Sequence, residues 1–274
     1  MNRGQGKVMD DDGSILLVGC GKMGGAMLAG WREAGRAVAV VEPKAPIPDP
    51  GGLLAAVTRA EDLPPSLSPA AVVLAVKPQE AAAVVPAYAR FAGRAVVISI
   101  MAGKTVAGLD ALLGGGARIV RAMPNTPAAV RKGVTACFAG AGVSEAQRML
   151  ADALLAAVGK VAWVESEGMI DAVTAVSGGG PAYVFLLAEV LEEAAVAQGL
   201  PRDLARLLAR ETVAGSGALL AASTEEAAQL RKNVTSPGGT TAEALKVLMA
   251  DEAWPGLMKR AIAAATARSR DLAG

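Results

Sequence analysis

Residues 14–27 read SILLVGCGKMGGAM, and the order of the parts in this stretch decides the architecture around it. An apolar run ending at Val18 is followed at once by Gly19, Gly21 and Gly24 in a G-x-G-x-x-G spacing, and then by a helix-like pattern. Gly19 permits a tight turn, Gly21 lets a pyrophosphate approach the backbone, and Gly24 lets the helix pack closely on the strand. The unsatisfied N–H groups of the helix start, around Lys22 and Met23, would face the phosphates. A second apolar run, AVAVVE, ends in Glu42 about 20 residues on, where a carboxylate can meet the hydroxyls of an adenosine ribose. Lys44 could instead pair with the extra phosphate of NADP, so NADPH and NADH both stay open. The simpler alternative is that Glu42-Pro43 ends the strand in solvent.

Working outward, AVVLAV (71–76), AVVISI (95–100), RIVRAM (118–123) and KVAWVE (160–165) are further short apolar runs, separated by helix-like segments at 79–92 and 144–158. Strands apolar on both faces and spaced by helices imply a doubly wound, Rossmann-type parallel sheet covered on both sides. SEAQ at 144–147 reads as a capping box. In such a sheet ligands sit beyond the carboxyl ends of the strands. Val76-Lys77-Pro78, Ala102-Gly103 and the proline-flanked Asn125 should therefore line a cofactor cleft, although Lys77 could equally be a strand-end charge and Asn125 a turn-stabilising side chain.

After about Gly168 the strand signals stop and helical patterns continue to the C-terminus. The expected organisation is a flexible tail at 1–13, a dinucleotide-binding domain at 14–167 and an all-helical domain at 168–274. The helical pattern from Pro181 to Gln198 is apolar over more than one face, which implies cover by a partner subunit.

Composition removes several classes. With 27 basic against 26 acidic residues and no arginine-rich track, nucleic acid is not an expected partner. The chain has no histidine and only two distant cysteines, Cys20 and Cys137, which excludes Ser-His-Asp hydrolysis and gives no metal-ligand set. Charges interrupt every apolar stretch before it reaches the roughly 18 residues of a membrane span, so no membrane is expected and the location should be cytoplasmic.

Residues 235–245, TSPGGTTAEAL, pose the remaining question, because they place hydroxyls and a helix start in a chain with no histidine to move a proton. TTAE fits a second capping box with Thr240 as N-cap, which would occupy Thr240 and leave Thr241 available. Together VGCGKMG, VLAVKPQ, RAMPNTPA, SGGGPAYVF, GLPR and NVTSPGGTT make the chain resemble the pyrroline-5-carboxylate reductase family. The resemblance implies reduction of 1-pyrroline-5-carboxylate to L-proline with NADPH or NADH, the last step of proline biosynthesis. It also implies a Rossmann domain followed by a helical dimerisation domain, assembled as a homodimer or a ring of dimers. By position, Asn233, Ser236, Gly239, Thr240 and Thr241 would hold a cyclic imine carrying a carboxylate, with Thr241 at the imine nitrogen. Hydride transfer to a protonated imine needs orientation more than a strong base, so the missing histidine is no obstacle. A β-hydroxyacid dehydrogenase would carry a catalytic lysine in the second domain, but AVSGGGPAYVFLLAEV (175–190) has none. A dinucleotide-sensing scaffold is the non-enzymatic alternative.

Overall fold

The computed structural model describes residues 13–47 and 50–273, and the tail expected at 1–13 lies outside them except for Gly13. Residues 13–178 together with 266–273 form one compact unit, and 179–265 form a second. This division differs from a cut at 167/168 in two places: residues 168–178 stay with the first unit, and the chain's last turns return to it.

The first unit is built on eight strands: β1 (Ile15–Val18), β2 (Val38–Val41), β3 (Ala55–Val57), β4 (Ala71–Leu74), β5 (Val96–Ser99), β6 (Arg118–Met123), β7 (Gly133–Ala139) and β8 (Gly159–Trp163). Their order is β3-β2-β1-β4-β5-β6-β7-β8. The pairs are parallel except β6 with β7, which run antiparallel. That departure from an all-parallel sheet has a local cause. Only a short loop separates β6 from β7, too little chain for the dozen-residue crossover a parallel pair needs.

Helices α1 (Lys22–Glu33), α2 (Ala81–Val84), α3 (Ala89–Ala92), α4 (Val106–Leu112), α5 (Glu145–Leu155) and α6 (Met169–Val173) cover the sheet or flank it. Alternation along β1 sends Ile15 and Leu17 into one core with Met27, Leu28 and Trp31 of α1 and Leu154 of α5. Leu16 and Val18 enter the opposite core with Val85, Tyr88, Phe91 and Leu109. Burial on both faces explains why these strands read as unbroken apolar runs. The capping box at Ser144 is formed in both directions. The helix expected over 79–92 is instead a chain of short 3-10 and α turns. Pro86 lies within it and has no N–H to continue an α ladder.

Arg121 of β6, 3 % exposed, bonds Glu167 at 3.0 Å and lies 3.9 Å from Asp171. Ser269 donates to the Asp171 carboxylate at 2.8 Å, tying the chain's last turns to this buried group.

The second unit contains α7 (Gly180–Ala197), α8 (Arg202–Ala222), α9 (Ala227–Asn233), α10 (Thr240–Leu248) and most of α11 (Trp254–Ala273). None of the α7 residues is buried, and in α8 only Ala205 and Ala209 are. Phe185 (66 %), Leu186, Leu207 and Leu219 are large, apolar and exposed. Residues 169–197 form a helical stretch long and apolar enough to cross a membrane by length and composition, even though charges interrupt it.

Candidate functional site

The glycine-rich turn between β1 and α1 assigns each glycine a separate task. Gly19 sits at φ +91°, and a Cβ there would lie 2.8 Å from the Ala75 carbonyl oxygen. At Gly24 a Cβ would fall 2.2 Å from the Gly19 oxygen, so only glycine lets the helix start pass this close to the turn. Gly21 is exposed, and nothing lies within 4 Å of the position a Cβ would take. Gly21 is also the N-cap of α1, with no side chain capping the helix and no acid in its first turn. Open backbone ahead of uncapped N–H groups fits a phosphate-bearing ligand.

Beside this turn a cleft of about 720 Å³ opens over the carboxyl ends of β1, β2 and β4. Gly19, Gly21, Glu42, Val76 and Lys77 line it, as do Lys44 and Arg59. Lys22, Met23 and Gly24 form the first turn of α1, whereas Pro78, Ala102, Gly103 and Asn125 do not line the cleft. Gly103, at φ +69°, has the Leu272 carbonyl 2.9 Å from where a Cβ would stand, which is sufficient reason for a glycine there. Asn125 accepts from the Val134 N–H at 2.9 Å and donates to the Ser177 carbonyl at 3.1 Å, so its amide ties loops together.

Charge in the cleft is arranged in pairs. The Lys44 ammonium bonds Glu80 and holds that carboxyl below its ordinary range. Arg59 bonds Asp62 at 3.0 Å. Burial, and secondarily the nearby Glu42, pushes the Cys20 thiol up, so the glycine turn carries no thiolate to repel a phosphate. Tyr88 also lines the cleft, and burial followed by the charge of Glu61 pushes its phenol up to about 12. Thr58, Arg59 and Tyr88 were not singled out from sequence, since no local pattern marks them.

In the second unit, α9 ends at Asn233, whose amide donates to Glu225 and accepts from Gln229 at 2.8 Å. The chain then turns through Thr235–Gly239 into α10. The expected capping box at Thr240 is not formed. Gly239 is the N-cap, extended at φ −81°, ψ 171°, and no side chain caps the helix. Gly238 at φ +68° bends the chain one residue earlier than a threonine cap would require, while Glu243 pairs with Lys246 at 2.5 Å. Thr240 and Thr241 therefore both stand in the first turn of α10, exposed, with no cap bond using either hydroxyl.

The family model described as pyrroline-5-carboxylate reductase dimerisation matches residues 167–272, and that described as NADP oxidoreductase, coenzyme F420-dependent, matches 14–103. The pyrroline-5-carboxylate reductase of Pseudomonas aeruginosa is 39% identical over 264 residues, covering 94% of this chain and 96% of that protein. The Mycobacterium tuberculosis H37Rv enzyme is 40% identical over 263 residues, covering 85% and 88%. Among solved structures, a pyrroline-5-carboxylate reductase from Coxiella burnetii superposes with a TM-score of 0.88 at 36% identity, over 96% of this chain and 99% of that one. The Plasmodium falciparum pyrroline carboxylate reductase, solved with NADP bound, gives 0.80 at 28% identity, over 96% and 99%. Likeness that spans the glycine turn, the sheet and the hydroxyl loop alike places this chain in the pyrroline-5-carboxylate reductase family.

Proposed function

We infer that the chain reduces 1-pyrroline-5-carboxylate to L-proline with NAD(P)H. The observation that carries this reading is the 39% identity to the Pseudomonas aeruginosa enzyme, which runs over 94% of the chain and so includes both helix starts described above. The bound nicotinamide would supply the hydride. Lys22, Met23 and Gly24 hold the pyrophosphate through the first turn of α1, with Gly19 and Gly21 shaping the approach. Val76 and Lys77 border the dinucleotide in the cleft, and Pro78, Ala102 and Gly103, in the loops after β4 and β5, would meet the part of it that extends beyond the cleft. Asn125 contributes by fixing its loop, given that both ends of its amide are engaged.

NADPH is the preferred cofactor in this reading. Lys44 and Arg59 supply the only cations besides Lys77 among the described residues lining the cleft, and each can turn from its acidic partner to an added phosphate. The NADP-bound Plasmodium falciparum relative supports the same choice.

Substrate falls to the loop before α10. Asn233, Ser236, Gly239, Thr240 and Thr241 hold the imine, with its carboxylate at the uncapped helix start and the Thr241 hydroxyl at the imine nitrogen. The dimer, alone or in a ring, is built through α7 and α8, whose apolar side chains a second copy covers. Buried free thiols at Cys20 and Cys137 agree with work in the reducing cytoplasm.

The test is oxidation of NADPH and NADH by the purified protein with 1-pyrroline-5-carboxylate, run beside a panel of hydroxy- and keto-acids. Turnover with the imine alone is expected. Turnover confined to a hydroxy- or keto-acid would overturn the reading.

A further inference from the structure

Glu42 follows β2 directly and is only 8 % exposed, although it is charged and borders an open cleft. Both of its carboxylate oxygens are already engaged. One accepts the Cys20 N–H at 2.6 Å, and the other accepts the N–H groups of Lys44 at 2.7 Å and Ala45 at 3.2 Å. Its own N–H continues the ladder to Val57 on β3 at 3.0 Å.

Cys20 is the residue between Gly19 and Gly21, and it is buried. Its N–H belongs to the peptide that the Gly19 turn rotates away from the regular strand ladder. A buried donor left without an acceptor is costly, and only a charged acceptor reaching across from β2 meets this one. A single carboxylate thus bonds the glycine turn on one side and the loop after β2 on the other.

We propose that Glu42 is a positioning residue that clamps the glycine-rich turn through the Cys20 amide, and that it does not select between NADH and NADPH by contact with the ribose. The proposal rests on the dinucleotide reading given above. Its reach follows from which part of the ligand the turn faces. Pyrophosphate is common to both cofactors, so loosening the turn weakens both together. A direct ribose ligand would behave otherwise, because its removal disturbs the two cofactors unequally where they differ, at the 2′ position.

Glutamine at this position keeps the length but has one acceptor oxygen, so it can serve Cys20 or the Lys44–Ala45 side and not both. Aspartate keeps the charge but is too short to span. Dissociation constants for NADH and NADPH would be measured by fluorescence titration on wild type, Glu42→Gln and Glu42→Asp. In both variants the two constants should rise by about 10-fold, with their ratio moving less than about twofold. Hydrogen exchange on the ligand-free proteins gives a second readout, in which the Cys20 amide is protected in wild type and exchanges at least about 10-fold faster in either variant. A changed NADPH-to-NADH ratio with Cys20 exchange unaltered would overturn the clamp while leaving the dinucleotide reading intact. Wild type that binds neither cofactor would instead overturn the functional reading, and this inference with it. Should Glu42→Gln not fold, the Glu42→Asp pair of measurements decides the question alone.

Discussion

At the start of α1 the strand feeding the turn is 0–1% exposed at every residue, Gly24 packs against Gly19, and Glu42 accepts the buried Cys20 amide of the turn. At the start of α10 no helix residue is buried, no side chain caps the helix, and α7 of the same unit has no buried residue at all. Both regions open a helix on a glycine N-cap with no side-chain cap. They differ in what surrounds them, because the first is packed on both faces of its own sheet while the second belongs to helices that keep many large apolar side chains exposed. A single chain thus completes the packing of its glycine turn, whereas the α7 and α8 helices of the second unit keep large apolar side chains exposed, as the proposed assembly requires.

Five substitutions test that contrast. The largest effect is expected from Phe185→Glu on α7, which puts a charge where the apolar surface should meet a second copy. Self-association should weaken by roughly 100-fold or more, giving a monomer by light scattering at micromolar concentration, with NADPH affinity held within about threefold. Next comes Thr241→Val, which keeps the shape but removes the hydroxyl. A lost bond to developing charge is worth about 1.5–3 kcal/mol, so kcat/KM for the imine should fall about 10- to 100-fold with cofactor affinity unchanged. Near-normal turnover would move the chemistry away from this threonine.

Lys44→Ala should lower kcat/KM with NADPH by about 5- to 10-fold relative to NADH, in line with one partly screened cation. An unmoved ratio would assign the 2′-phosphate to Arg59 or elsewhere. The smallest effects concern the two sequence-read caps. Ser144→Ala should cost about 1 kcal/mol, a melting shift of roughly 2–4 °C, because its capping box is formed. Thr240→Val should stay within about 0.5 kcal/mol, because Gly239 holds the cap position. Thermal melts of the two variants side by side decide between them.

Those two caps show what the sequence reveals and what it conceals. Ser144 and Thr240 both open a Ser/Thr-x-x-Gln/Glu pattern, but only the second follows two glycines, and Gly238 takes a positive φ that hands the N-cap to Gly239. Strands β1, β2, β4 and β5 were legible because burial on both faces writes continuous apolar runs. Strand β7, with Thr135 buried at 2 % among apolar neighbours, and the three-residue β3 carry no such signature. The acid ending β2 was legible as well. That one of its oxygens takes the Cys20 amide was not, since this depends on how closely the turn after β1 approaches the end of β2 in space. The Arg121–Glu167–Asp171–Ser269 group spans too much sequence for any local pattern to flag it.

The central claim, that one region is complete in a single chain and the other is not, is tested most directly by hydrogen exchange on wild type and on Phe185→Glu, compared element by element. Amides of α7 and α8 should exchange at least about 10-fold faster in the variant, while those of β1, β4 and the first turn of α1 keep their wild-type protection. Equal protection of α7 and α8 in a confirmed monomer, or a uniform loss across both units, would contradict it.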